Sequence, residues 1–96
     1  MDGISLHVLT ADGPILERMV ESVNLPTAFG SVGVLKGHAD MLCNLEAGIL
    51  RLRCEEGILR CRCSEGTLRL RVGAGIASVE NNEINVLVSF GRVLED

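Results

Sequence analysis

The residues best suited to chemistry are four cysteines and two histidines, because thiolates and imidazoles bind metals and act as nucleophiles or bases. Cys54, Cys61 and Cys63 lie close together in the chain. Zinc sites usually carry paired Cys-x2-Cys or Cys/His groups on turns, and neither His7 nor His38 stands in such a pair. The spacing therefore favours free thiols that pack as small apolar residues, with no metal.

Other reaction chemistry has little support in the chain. A Cys–His or Ser–His arrangement is possible with His38, but no nucleophile elbow accompanies it. Gly30, Gly33 and Gly37 do not form a phosphate loop, because the Gly-Lys-Ser/Thr ending and a following helix are missing. We therefore predict a protein that is not an enzyme, with no catalytic residue, no metal and no cofactor.

A triple Leu-Arg phrase is the strongest pattern in the sequence. Residues 48–72 read GILRLRCEEGILRCRCSEGTLRLRV and carry six of the nine basic residues. In a strand, alternate side chains point to opposite faces, so the leucines share one face and the arginines the other. The pattern predicts strands with one face in the core and an arginine face in solvent.

An arginine face raises nucleic acid as a possible partner. The formal net charge is −4, and the chain has two phenylalanines and no tyrosine or tryptophan to stack on bases. Binding to a polyanion needs an excess of Lys and Arg, and single strands need stacking surfaces. We expect no nucleic-acid binding by the chain as a whole.

Short alternating segments indicate strands along the chain. Ile4, Leu6 and Val8 share one face of the first segment, and a second segment runs to Pro26 after turn formers around Gly13. Further strand-like segments follow at roughly 8–12 residue spacing, which is typical of a β-sandwich or barrel. No apolar segment is long enough to cross a membrane as a helix. The prediction is one all-β domain over residues 1–96.

The middle of the chain reads GVLKGHADM at residues 33–41 and LEAG at residues 45–48. These segments resemble the epsilon subunit of the rotary F-type ATP synthase. That family's most specific phrase is Gly, two hydrophobic residues, then Pro-Gly-His-Ala, followed by Leu-x-x-Gly. The segments VESVNLP at 20–26 and GAGIASV at 73–79 are also similar, so the resemblance covers nearly the whole chain.

The resemblance implies a β-sandwich of about ten strands at the foot of the central stalk. Such a subunit is a non-catalytic part of the rotor that links gamma to the membrane c-ring and couples ion translocation to ATP synthesis. It is peripheral, on the cytoplasmic face of the bacterial plasma membrane, and does not insert. The implied gamma interface is Thr10, Gly37, His38 and Ala39, with Thr10 near His38; the implied c-ring contact is Phe29, Gly30, Ser31 and Val32.

Four departures from the family pattern have consequences. Lys36 replaces a usual proline, which relaxes φ at that turn, and Ser31 replaces a common acidic residue, so Phe29 is expected to supply apolar contact. One Leu-Arg phrase is an extra copy, for which we predict a longer hairpin or protruding loop rather than a third strand. The family's C-terminal two-helix hairpin is not in this chain, so we expect coupling without inhibition of hydrolysis and without ATP binding.

Two other functions stay open. One is a free-standing β-sandwich module that binds an acidic partner with its arginine face. The other is a small metal–thiolate protein. Co-purification with a gamma-like subunit, a salt-sensitive shift with nucleic acid, and metal content would distinguish the three.

Overall fold

The computed structural model describes residues 3–54 and 66–94. Nine strands fall within these ranges and no α-helix does, which confirms the all-β prediction. The strands are β1 (Ile4–Thr10), β2 (Gly13–Thr27), β3 (Gly30–Leu35), β4 (Met41–Leu45), β5 (Gly48–Cys54), β6 (Thr67–Val72), β7 (Gly75–Glu80), β8 (Glu83–Val88) and β9 (Gly91–Leu94).

The strands form an open β-sandwich because one long strand, β2, belongs to both of its layers. The order of hydrogen-bonded neighbours is β4-β7-β8-β1-β2-β5-β6-β9, with β3 paired to β2 outside this path. The first part of β2 pairs with β1, and the later part pairs with β3 and β5. Strands β1 and β8 run parallel, and the other pairs of described strands are antiparallel.

Strand β2 changes the face that it turns to the core. Leu16 and Val20 are buried in its first part, whereas Val23 and Leu25 are buried in its second. The register with β5 shifts between Val20 and Ser22, so an extra residue lies at that point. Such a bulge shifts the alternation by one residue and bends the strand, which lets β2 pass from one layer to the other.

Strand β2 also continues past Pro26, where the sequence predicted its end. Pro26 lies opposite Ser31 in the pairing with β3. It has no N–H, but its carbonyl accepts a hydrogen bond from the Glu46 N–H at 3.0 Å. A proline is therefore tolerated here without ending the strand.

The core between the layers is aliphatic. Every buried side chain in the described ranges is apolar, and none is polar or charged. Burial of this surface is the main stabilising term, at about 25 cal/mol per Å² of apolar area. The largest fully buried side chains are Ile4, Leu6, Leu25, Leu50, Leu52, Leu70 and Ile84.

The first and third Leu-Arg phrases are neighbouring antiparallel strands. Their register runs from Gly48 opposite Val72 to Arg53 opposite Thr67. The leucines of both phrases face inward and Arg51 faces solvent, as the alternation predicted. Strands β5 and β6 pair directly with each other, and the longer hairpin or protruding loop expected for the middle phrase stays a prediction. The predicted path of residues 55–65 falls outside the described residues.

The prediction that all cysteines are free thiols is wrong at Cys54, which is disulfide-bonded. Spacing along one strand shows only which thiols are kept apart within that strand, whereas a disulfide also depends on which distant parts of the chain the fold brings together. Cys43 is free, and burial raises the pKa of its thiol, so it stays protonated near neutral pH and is a weak nucleophile.

The two faces of β8 offer a test of the core. Ile84 is fully buried, whereas Leu87 is half exposed on the outer face. We expect Ile84→Ala to lower the free energy of unfolding by about 2–5 kcal/mol, because it leaves a cavity. Leu87→Ala on the same strand should cost about 1 kcal/mol or less. Urea denaturation measures both, and equal losses would show that the outer face is packed as tightly as the core.

Candidate functional site

His38 lies in a turn between β3 and β4 that backbone hydrogen bonds hold in place. Its N–H donates to the carbonyl of Leu35 at 3.0 Å. Its ring Nδ1 is 2.7 Å from the carbonyl oxygen of Ala39; a carbonyl only accepts, so Nδ1 carries a proton and donates. Gly37 has a φ of +83°, in the left-handed region that favours glycine. The turn therefore presents the half-buried ring in one defined position.

Asn82 ties this turn to the rest of the sandwich, and it was not identified as a site residue from the sequence. Its side-chain Oδ1 accepts the Gly37 N–H at 2.7 Å, and its carbonyl accepts the Ser5 N–H at 2.9 Å. Asn81 and Asn82 have φ values of +49° and +59°, typical of the type I′ turns that favour asparagine. The Asn-Asn pair in the sequence indicates a turn. Nothing in the sequence indicates that Asn82 bonds to Gly37, 45 positions away.

Thr10 lies at the other end of β1, so the prediction that it is near His38 is wrong. Its Oγ1 donates to the carbonyl of Gly13 and accepts the N–H of Asp12, both at 3.2 Å, within the β1–β2 turn. Ser5 marks the end of β1 beside the His38 turn. At about 3.3 Å per residue, the five residue steps from Ser5 to Thr10 span roughly 17 Å. Thr10 and the His38 turn therefore lie at opposite ends of β1.

The segment Phe29–Val32 begins at the tip of the β2–β3 hairpin. The Thr27 Oγ1 donates to the Gly30 carbonyl at 2.6 Å and accepts the Phe29 N–H at 3.2 Å. Gly30 has a φ of +106°. Phe29 is 100% exposed, Ser31 is exposed and Val32 is half-buried. A tight turn therefore holds an aromatic ring entirely in solvent, where it is available to a partner.

The two predicted contact sites lie at opposite ends of this hairpin. The register of β2 with β3 runs from Thr27 opposite Gly30 at the tip to Ser22 opposite Leu35 at the base, just before the His38 turn. Five residues of extended strand separate these pairs by roughly 17 Å. The structure thus places the two segments for which contacts are predicted at separate ends of one hairpin, rather than in a single site.

The part of the chain that the structure describes contains no recognisable catalytic or metal-binding site. Within it, no three metal-binding side chains cluster, and no helix is long and apolar enough to span a membrane. His7 does contact acidic groups: its Nδ1 is 3.1 Å from Glu17 Oε1, and its Nε2 is 3.7 Å from Glu83 Oε1 and 3.0 Å from Ser5 Oγ. These contacts join β2, β1 and β8 across the outer face of the sheet.

Known proteins with similar sequences share one name. Residues 3–90 match the family model described as ATP synthase, Delta/Epsilon chain, beta-sandwich domain. The chain is 36% identical over 90 residues to the ATP synthase epsilon chain of Prochloron didemni, a match covering 94% of this chain and 60% of that protein. It is 36% identical over 86 residues to the epsilon chain of Microcystis aeruginosa, covering 90% and 56%. The chain therefore spans little more than half the length of these relatives.

Solved structures share the fold. A chain of the Euglena gracilis mitochondrial ATP synthase has a TM-score of 0.82 at 23% identity, with 97% of this chain and 54% of that chain covered. A chain from the Tetrahymena thermophila mitochondrial ATP synthase central stalk and c-ring has a TM-score of 0.73 at 15% identity, with 94% and 66% covered. The family match over residues 3–90, together with the identity to epsilon chains, confirms the resemblance, and the chain belongs to the ATP synthase delta/epsilon family.

Proposed function

We propose that this chain is a non-catalytic rotor subunit of an F-type ATP synthase, which links gamma to the c-ring and couples ion translocation to ATP synthesis. The observation that carries the proposal is the position of two turns at opposite ends of one β-hairpin. These are the His38 turn and the Phe29 tip, and hydrogen bonds hold each of them in place. A linking subunit needs two attachment sites with a stiff body between them. It does not need an active site.

The body between these points is built to resist deformation. The β2–β3 register holds both ends of the hairpin, and the buried side chains of β2 pack into a continuous aliphatic core. Protein interiors are close-packed and of low compressibility, so a force applied at one end reaches the other with little loss. We infer that the domain over residues 1–96 transmits torque as a single unit.

We propose that gamma binds the His38 turn, through Gly37, His38 and Ala39. Thr10, at the far end of β1, belongs to the same interface if gamma lies along the length of that strand. An ordinary interface buries about 800 Å² per partner, which is wide enough to include two points roughly 17 Å apart. A gamma interface that contains Thr10 is therefore an extended one.

We propose that the c-ring contacts the hairpin tip, through Phe29, Gly30, Ser31 and Val32. An exposed Phe ring gains from burial against a partner, whereas Ser31 offers only a neutral hydroxyl. The contact is then apolar rather than charge-paired. In this arrangement the subunit is peripheral, on the cytoplasmic face of the bacterial plasma membrane.

The gamma contact can be tested at His38. We expect His38→Asp to weaken binding to purified gamma by about 1–3 kcal/mol, because it replaces the ring and its hydrogen bond with a solvated charge. Titration calorimetry measures the affinity, and circular dichroism checks that the domain stays folded. Asn44→Asp, which adds the same charge at an exposed position on β4, is the matched control. Unchanged affinity in His38→Asp would place the gamma interface elsewhere.

The c-ring contact can be tested by crosslinking. A cysteine at Ser31 carrying a photoactivated reagent should react with the polar loop of a c subunit in the assembled enzyme. Asp12→Cys, exposed in the β1–β2 turn at the opposite end of β2, should give no such product. A clean product between residue 31 and some other subunit would refute the assignment.

The role of the Phe29 ring can be tested separately. Because the side chain is fully exposed, Phe29→Ala should change the free energy of unfolding by only about 0.5 kcal/mol. It should reduce ATP-driven ion pumping relative to ATP hydrolysis in reconstituted enzyme, since an apolar contact with the ring is lost. Full retention of ion pumping would show that the Phe29 ring does not contribute to coupling.

A further inference from the structure

The outer face of β5, β6 and β9 carries arginines and no acidic residue. Arg51 and Arg53 on β5, Arg71 on β6 and Arg92 on β9 are exposed, and Arg69 on β6 is half-buried. None of these three strands contains Asp or Glu. A carboxylate from outside them, Glu21 Oε2, is 4.0 Å from the Arg53 Nε. We call these five residues the arginine face.

The register sets these arginines directly against one another. Arg51 is opposite Arg69, and Arg71 is opposite Arg92. Like charges directly opposite in neighbouring strands destabilise a sheet. Five of the nine basic residues are gathered here in a chain whose net charge is −4. A bound acidic partner would reduce the repulsion between these arginines.

We propose that the arginine face binds an acidic polypeptide segment. The guanidinium group presents a planar fork of donors that matches a carboxylate in bidentate geometry. Arg51 and Arg53 are two residues apart on one strand, hence roughly 6.5–7 Å apart, which is also the spacing of alternate side chains in an extended segment. An extended chain with alternate carboxylates therefore matches the arginines along a strand.

A hollow at the margin of the face also suits a polypeptide. It measures about 250 Å³ and is lined by Asn24, Ser31, Ile49 and Arg51. These residues offer an amide, a hydroxyl and an apolar surface beside a guanidinium, which together suit a polar side chain and the backbone that carries it. This lining favours a peptide over an anion bound by charge alone.

Other anionic partners fit the face less well. Strands β5, β6 and β9 contain no aromatic residue on which bases could stack. Membrane surfaces bind faces that join cations to apolar side chains, and neither β5 nor β6 has a large exposed apolar residue. The inference does not depend on the proposed rotor function, although Ser31, which lines the hollow, is also part of the proposed c-ring contact.

The test is fluorescence anisotropy with a short labelled peptide of alternating Glu and Ser, and with the same peptide carrying Gln for Glu. We expect the Glu peptide to bind with an affinity that falls as salt rises, and the Gln peptide not to bind. Arg51→Gln, Arg71→Gln and Arg92→Gln should each weaken binding about two- to fivefold. Lys36→Gln, which removes one charge from the exposed turn after β3, should leave binding unchanged.

A second measurement separates binding from folding. Arg71→Gln removes one member of the Arg71–Arg92 pair, so the midpoint of urea denaturation should rise while peptide affinity falls. A lower midpoint, or equal binding of the two peptides, would overturn the proposal. So would failure of the Glu peptide to bind while phosphatidylglycerol vesicles, duplex DNA or a second copy of the chain bind in a manner that depends on Arg71.

Discussion

The bulge in β2 between Val20 and Ser22 is the constraint on which the rest of the structure depends. It lets one strand of 15 residues pair with β1 in one layer and with β3 and β5 in the other. Without the shift in alternation, either the first or the second part of β2 would turn its apolar side chains to solvent. The aliphatic core, and the placement of both proposed contact sites at the ends of β3, follow from that shared strand.

One long-range hydrogen bond, from the Gly37 N–H to the Asn82 side chain, holds the His38 turn in position. The Asn82 side chain fixes it to the β7–β8 turn, and the Asn82 backbone is bonded to Ser5 on β1. The proposed gamma site is therefore attached to the layer opposite β3. This attachment suits a mechanical link, because force at the turn reaches both layers.

The two faces of β5 and β6 show how one repeat serves folding and recognition together. Its leucines close the core, whereas its arginines stand opposite like charges on the outer face. Burial of the leucines is the stabilising contribution of the inner face. The outer face is the one that we propose to bind an acidic partner.

Sequence alone determined the features that depend on neighbours along the chain. Alternation predicted the buried side of β1 and the opposed leucine and arginine faces, because side chains in a strand alternate with a period of two. The Gly37-His38-Ala39 phrase identified the family, since it requires one turn geometry. The bulge in β2 could not be predicted, because a single extra residue reverses the alternation and the residue types around it do not indicate where this happens. The tertiary structure also decided the Gly37–Asn82 contact, the distance from Thr10 to His38 and the bonding of Cys54. Each of these depends on which distant strands become neighbours, and packing of the whole core selects those neighbours.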